Sequence, residues 1–307
     1  MLFGLLLGFT ATVSAQDTPI KYGYETVDGV NIFFREAGHK SNKPTLVLLH
    51  GFPSSSHQYR EVLSQLGNEY HVIAPDYPGY GNSDFPLVSQ YEYTFDNIAK
   101  TMDNFLIQKG LSNYVLMIQD FGAPIGFRIA TAHPEKVAGF VVMNGNAYEE
   151  GLSPSGWEKL REYWKKKTPE LEKYIVDNVF SLEGMKWQYT HGTRNPQSIL
   201  PDNWKLDYLN ISRKGQKAAQ LSMLFDYQNN LPLYPQWQAY LRKMQPPMLL
   251  VWGKNDAFFP VSGAEGYKKD VKNIDYNILD TGHFALEEDA TFIIDKMRHF
   301  MKLKFHK

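Results

Sequence analysis

Apolar residues along this chain form short runs, and these runs alternate with segments in which apolar positions recur at helical spacing. Asp28-Gly29 separates the first two runs, as in a tight β-hairpin. Apolar-rich runs typical of strands occupy 22–27, 30–36, 45–49, 70–74, 114–118, 137–143, 248–252 and 274–279, and helical spacing occupies 57–67, 94–109, 122–133 and 288–303. Strands that alternate with helices predict an α/β fold, with a mostly parallel sheet flanked by helices.

The alternation stops between residues 148 and 243. This stretch is rich in Trp, Tyr, Lys and Glu and contains no convincing strand. We therefore predict a core formed by residues 20–147 and 244–307, interrupted by a helical insertion over 148–243.

Residues 1–15 predict a secretory signal peptide. Their apolar stretch is too short to cross a membrane, and Val13-Ser14-Ala15 is a small-residue cleavage site, although no Lys or Arg precedes the apolar run. We expect a secreted or periplasmic protein, or a cytoplasmic one if this segment is not a working signal. No other stretch is long and apolar enough to predict stable membrane insertion.

Composition narrows the possible chemistry. The 307 residues include 32 Lys and Arg and 33 Asp and Glu, without the clustered basic face that a nucleic-acid partner requires. There is no cysteine, which excludes disulfides and thiolate catalysis. No His and carboxylate cluster has metal-ligand spacing, and no Gly-rich phosphate loop precedes a helix, so we expect neither a metal nor another cofactor.

The chemistry of the chain centres on Asp120. It lies in Gln119-Asp120-Phe121-Gly122, between a predicted strand and a predicted helix, which is the setting of a nucleophile elbow. We expect the helix N-terminus and nearby backbone N–H groups to favour the ionised carboxylate, which can then attack carbon. The alternative for Asp120 taken alone is an ordinary N-cap.

Three further loops follow predicted strands, and ligands bind beyond the carboxyl ends of parallel strands. His283 is the candidate general base. Asp256 is the candidate acid that holds the histidine ring, although it is also a plausible loop aspartate; Asn144 and Asn146 are poorer candidates because an amide is neutral. The backbone N–H groups of Phe52 and Phe121 are candidates for an oxyanion hole.

Nucleophile, acid and histidine in this order resemble the α/β-hydrolases, in the branch of epoxide hydrolases and haloalkane dehalogenases. The matching segments are His50-Gly51-Phe52-Pro53, Asp76 to Ser83, Gln119 to Gly122, Gly253 to Asp256 and Gly282-His283. The resemblance covers residues 20–303 and implies that 148–243 is a helical cap. One departure is Ile118, at a position where the family often has glycine.

The resemblance implies attack of Asp120 on a saturated carbon, followed by hydrolysis of the ester by water that His283 activates. Phe121 and Phe52 stand where dehalogenases commonly carry Trp and Asn donors, although Trp164 could still bind a halide. Tyr163 and Tyr227 resemble the cap tyrosines that protonate an epoxide, and His50 and Trp164 are candidate pocket residues.

We therefore favour an epoxide hydrolase that acts on a small apolar electrophile and water. The first alternative is a haloalkane or haloacid dehalogenase. The second is a ligand-binding protein without catalysis, because the fold alone does not fix function.

Overall fold

A computed structural model describes residues 19–305. Eight strands form one sheet in the order β1-β2-β4-β3-β5-β6-β7-β8. The strands are β1 (Lys21–Val27), β2 (Val30–Ala37), β3 (Thr45–Leu49), β4 (Val72–Pro75), β5 (Tyr114–Gln119), β6 (Val137–Met143), β7 (Met248–Gly253) and β8 (Ile274–Leu279). The pairs β1–β2 and β2–β4 are antiparallel, and every other pair is parallel. The predicted α/β fold is confirmed.

Helices cover both faces of the sheet. They are α1 (Arg60–Leu66), α2 (Phe95–Gln108), α3 (Gly122–Ala132), α4 (Glu158–Lys165), α5 (Pro169–Asn178), α6 (Leu182–Thr190), α7 (Pro201–Ile211), α8 (Gln216–Asp226), α9 (Tyr234–Met244), α10 (Val261–Asp270) and α11 (Leu286–Phe305). α1 and α11 share one apolar cluster with the sheet, whereas α2, α3 and α10 share the other. Strands β3 and β5 are buried along their whole length, because they lie at the centre of the sheet with helices on both faces.

Helix α10 was not predicted from the sequence, and two smaller differences from the predicted elements lie around α1. The predicted helix over 57–67 is a 3₁₀ turn, Ser56–Tyr59, followed by α1, because the Ser55 hydroxyl caps the turn by accepting from the His57 N–H. The predicted strand over 70–74 begins later, at Val72, because the Tyr70 N–H bonds to the Leu66 carbonyl 2.9 Å away. Tyr70 therefore belongs to the turn that ends α1.

Helices α4 to α9 lie between β6 and β7, where the insertion was predicted, and the described chain contains no strand there. Their apolar side chains join the cluster that contains α2 and α3. The division into a core and a cap with boundaries at 148 and 243 stays a prediction.

The predicted signal peptide lies outside the described residues. Across positions 19–305, none of the helices has the length and apolar character needed to cross a membrane.

Candidate active site

Asp120 lies on a strained turn at the junction of β5 and α3. Its backbone φ is +50°, a left-handed conformation that costs free energy for a residue with a Cβ and that recurs at functional sites. The turn fits because Gly122 follows it: a Cβ there would lie 2.1 Å from the Leu49 carbonyl oxygen. Strand β5 and helix α3 thus hold the Asp120 carboxylate at the carboxyl edge of the sheet.

His283 and Asp256 meet at the same edge. The His283 Nδ1 lies 2.7 Å from the Asp256 Oδ2, and the other oxygen of Asp256 accepts from the N–H groups of Phe258 (2.8 Å) and Phe259 (3.1 Å). A proton on Nδ1 leaves Nε2 as the basic atom of the neutral ring. The arrangement holds the His283 ring in the tautomer that a general base requires.

Asn144 is a further member of this site. Its Nδ2 donates to the Asp256 Oδ2 at 2.8 Å, and its Oδ1 accepts from the Gly253 N–H at 2.9 Å. From the sequence, Asn144 is only a poorer candidate than Asp256 for the acid. In the structure it fixes the acid, a role that its position directly after β6 could have indicated.

The two oxygens of Asp120 have different surroundings. Oδ1 accepts from the Phe52 N–H at 2.6 Å, and the Phe121 N–H also donates to this carboxylate. Oδ2 lies 4.0 Å from the His283 Nε2, which is beyond hydrogen-bond distance. Gln119 Nε2 lies 2.9 Å from the same His283 nitrogen. The backbone donors expected at Phe52 and Phe121 therefore converge on the carboxylate.

Burial dominates the protonation of Asp120. It raises the pKa of this carboxyl to about 6, although the charge of His283 and the two backbone N–H groups lower it. The backbone N–H groups thus favour the ionised form, as expected, but loss of solvation outweighs them and the net change of the pKa is upward. Burial also opposes a charge on His283, but the charge and hydrogen bond of Asp256 prevail and raise the pKa of that ring.

A cavity of about 370 Å³ opens onto these groups. Its floor is formed by Phe52, Asp120, Phe121, Phe258 and His283. Side chains of α4, α5, α6 and α8 form the opposite wall, among them Leu160, Ile175, Trp187 and Leu224. The cavity is mostly apolar around one carboxylate and one imidazole, as is usual for a site that binds a small organic molecule.

The two predicted pocket residues lie elsewhere. The indole N–H of Trp164 donates to the Leu224 carbonyl at 2.8 Å, and Trp164 does not line the described cavity. His50 stacks on Tyr77 with ring centroids 3.9 Å apart, and burial lowers its pKa to about 3. His50 is therefore a neutral packing residue beneath the loop that contains Phe52.

The predicted cap acids also lie outside the cavity lining. The Tyr163 hydroxyl donates to the Glu172 carboxylate at 2.9 Å. The Tyr227 ring packs against Trp157, 4.4 Å between centroids, and against Phe121, while its hydroxyl is hydrogen-bonded to Tyr234. Each hydroxyl is therefore held by a partner on a neighbouring element, Tyr163 by Glu172 on α5 and Tyr227 by Tyr234 at the start of α9.

The fold and this arrangement of Asp120, Asp256 and His283 define a class, that of the α/β-hydrolases. Residues 44–290 match the family model of the alpha/beta hydrolase fold, so the chain belongs to this family.

Named relatives refine the comparison. The chain is 41% identical over 272 residues to the Saccharomyces cerevisiae protein "Uncharacterized hydrolase YNR064C", covering 88% of this chain and 93% of the relative. It is 28% identical over 279 residues to Homo sapiens "Epoxide hydrolase 4", covering 88% and 75%.

Two solved structures share the fold. A variant of haloalkane dehalogenase DatA from Agrobacterium tumefaciens superposes with a TM-score of 0.78 at 22% identity, covering 92% of this chain and 97% of the other. Epoxide hydrolase CorEH superposes with a TM-score of 0.74 at 18% identity, covering 93% and 99%. The predicted kinship with epoxide hydrolases and haloalkane dehalogenases is confirmed, and it leaves the choice between the two reactions open.

Proposed function

We propose that this protein is a hydrolase with Asp120 as nucleophile, and that it converts an epoxide to a vicinal diol. The observation that carries the proposal is the pair of contacts of the Asp120 carboxylate. One oxygen accepts a hydrogen bond from the Phe52 backbone N–H, and the other lies 4.0 Å from the His283 ring, which Asp256 orients. A serine hydrolase would need a hydroxyl where this chain has the carboxylate.

The reaction has two steps in this geometry. Asp120 Oδ2 attacks a ring carbon, the carbon–oxygen bond of the epoxide breaks, and an alkyl ester forms. His283 Nε2 then takes a proton from a water molecule, which adds to the Asp120 carboxyl carbon. The N–H groups of Phe52 and Phe121 stabilise the oxyanion on Oδ1. Collapse breaks the ester bond, and the leaving oxygen takes the proton of the added hydroxyl. The proton on His283 returns to solvent and replaces the one that the ring-opened alkoxide took from water.

The donors around the cavity support the epoxide over the halide. The side chains at 52 and 121 are phenylalanines, without an N–H for a leaving halide. The indole N–H groups of Trp157 and Trp164 donate to the carbonyls of Phe258 and Leu224. The second candidate, dehalogenation, is favoured by Trp187, whose indole lines the cavity.

Trapping the ester tests the proposal. In His283→Gln the first step proceeds but the base of the second step is gone, so a covalent adduct should accumulate on the peptide that contains Asp120. We would incubate this variant with a panel of epoxides and haloalkanes and measure adduct masses. The double variant Asp120→Asn/His283→Gln is the control and should stay unlabelled.

The outcome separates the candidates. An epoxide adduct on Asp120 supports the proposal, and a haloalkane adduct without an epoxide adduct would replace it with dehalogenation. A protein that binds these compounds but is never labelled, and whose affinity is indifferent to His283→Gln, would be a binding protein.

A further inference from the structure

The proposed reaction places a negative charge on the epoxide oxygen, and none of the residues assigned so far stabilises it. When Asp120 displaces the epoxide oxygen, that oxygen departs from the far side of the attacked carbon, because a nucleophile and its leaving atom lie in line. Asp120 attacks from the sheet side, so the alkoxide develops toward the helical wall of the cavity. A donor on that wall would stabilise the charge, and Tyr163 and Tyr227 both have their hydroxyls engaged elsewhere.

Most polar side chains of the helical wall are unsuited to this role. The Lys159 ammonium pairs with Glu162 at 3.0 Å, and the Asn178 amide donates to the Tyr174 carbonyl at 2.8 Å. Ser155, Tyr174 and Trp187 are exposed to solvent, where water competes for their hydrogen bonds and weakens them.

Gln188 differs from all of these. It lines the cavity, its side chain is only 5% exposed, and its amide nitrogen is buried without a hydrogen bond to any part of the described chain. Leaving a buried amide nitrogen without an acceptor costs free energy. A half-turn about the last side-chain bond exchanges the nitrogen and oxygen of the amide, so the side chain can present either atom to a bound molecule.

The contacts of α6 place Gln188 close to the catalytic groups. Trp187 packs edge-on against Phe258, which in turn packs against the His283 ring. On the other side of Gln188, the Tyr189 ring stacks on Phe284 with centroids 4.0 Å apart. The two sequence neighbours of Gln188 are thus fixed to the residues that flank His283, so the last turn of α6 lies over the active site.

We propose that the Gln188 amide N–H₂ donates a hydrogen bond to the epoxide oxygen and stabilises the alkoxide that forms on it. The inference rests on the proposed function. An amide does not give up its proton, so the alkoxide takes one from water and leaves hydroxide. Hydroxide later receives the proton that His283 takes from the hydrolytic water, and the sum of the steps is epoxide plus water to diol.

The test measures alkylation of Asp120 in the His283→Gln background, with Gln188→Leu as the variant. At saturating 1,2-epoxybutane we expect the alkylation rate constant to fall about 100-fold to 1000-fold, the loss typical of one donor to a developing oxyanion. Gln238→Leu is the matched control, because it removes a glutamine amide that already donates to the Ala147 carbonyl at 2.9 Å and that does not line the cavity. Its rate should change by less than about twofold, as for most substitutions away from the site.

A second epoxide shows whether Gln188→Leu acts by removing charge stabilisation or by changing the shape of the cavity. The trifluoromethyl group of 1,1,1-trifluoro-2,3-epoxypropane stabilises the alkoxide itself, so the penalty of Gln188→Leu should be smaller with this compound than with 1,2-epoxybutane. An unchanged rate, or an equal penalty on both epoxides, overturns the role of Gln188. If the His283→Gln variant alone forms no epoxide adduct, the proposed function is wrong. This result is obtained before Gln188 is changed, so it is distinct from a failure of the role of Gln188.

Discussion

Asp120 combines features that each cost stability and that together suit a nucleophile. Its backbone is in a left-handed conformation, its carboxylate is buried, and its pKa is raised to about 6. Unfavourable features of this kind persist only where contacts with the surrounding structure hold the residue in place. Here the Phe52 N–H on Oδ1, the Phe121 N–H on the carboxylate and the imidazole of His283 near Oδ2 supply that support.

Asn144 gives a prediction at the scale of one residue. Asn144→Gly removes the amide that donates to Asp256 and leaves the positive φ of 44° unstrained, since glycine adopts it readily. We expect kcat to fall about tenfold or more, because a lost hydrogen bond to a buried charge costs about 1–3 kcal/mol. Steady-state kinetics on the substrate identified by trapping would show it.

Asn146→Gly is the matched control for this prediction. The Asn146 amide contacts the Tyr148 carbonyl and the Tyr234 hydroxyl rather than the acid. Both variants should be measured well below their melting temperatures. Equal losses of kcat in the two would mean that Asn144 acts through general packing and not through Asp256.

At the scale of elements, β5 and α3 depend on each other through Ile118 and Gly126. Ile118 occupies a position where the family often has glycine, and it fits because Gly126 has no side chain: a Cβ there would lie 2.6 Å from the Ile118 Cγ2. Gly126 thus leaves free the space that the Ile118 side chain occupies. The elbow therefore keeps its close strand–helix packing because the residue of α3 that faces Ile118 has no side chain.

A double-mutant cycle tests this compensation. Gly126→Ala should lower the free energy of unfolding by about 1–3 kcal/mol, the usual cost of overpacking a core. Ile118→Ala should destabilise the protein by leaving a cavity. The double variant should lose less than the sum of the two, as neighbours that share space do. Urea unfolding curves would measure all three, and strict additivity would show that the two side chains do not compete for the same space.

The same elements show what the sequence could predict. β3, β5, β6 and β8 were placed within a residue of their ends because each is a continuous apolar or alternating run whose burial decides its structure. The loops that follow β5, β7 and β8 fix Asp120, Asp256 and His283, so parallel-sheet topology alone brings these three together.

The helical wall was less predictable, for a physical reason. Tyr163 and Trp164 lie side by side on α4, and their orientations are set by Glu172 on α5 and by the Leu224 carbonyl on α8. These partners are contributed by packing between helices, which local periodicity does not encode. Gln188 cannot be singled out from the sequence, because a single glutamine in a helix has no signature. It is marked by its burial and by the lack of a hydrogen-bond partner for its amide nitrogen among the described residues.

For the whole molecule, the raised pKa of Asp120 couples the active site to stability. Between the usual carboxyl pKa near 4 and the folded value of about 6, the folded state binds more protons than the unfolded state. The free energy of unfolding therefore falls as pH rises through this window, and the cost is complete above about pH 7. A shift of two pKa units corresponds to about 3 kcal/mol at full ionisation.

Asp120→Asn removes this cost together with the proposed nucleophile. We expect the variant to lose turnover and to gain stability over the parent as pH rises from 4 to 7, by up to about 3 kcal/mol. The gain should be larger in the His283→Gln background, because the charge of His283 lowers the pKa of Asp120 in the parent. Denaturant unfolding at each pH would measure it.

Asp280→Asn provides a control of opposite sign for the same experiment. Hydrogen bonds from Asn255 and Lys254 lower the pKa of this exposed carboxyl, so its ionised form favours folding, and the variant should lose stability relative to the parent as pH rises. If Asp120→Asn instead followed Asp280→Asn and lost stability with rising pH, the carboxylate would be stabilised by its surroundings. Burial would then not be the dominant influence on the pKa of Asp120, and ionisation of this carboxyl would not lower the stability of the protein.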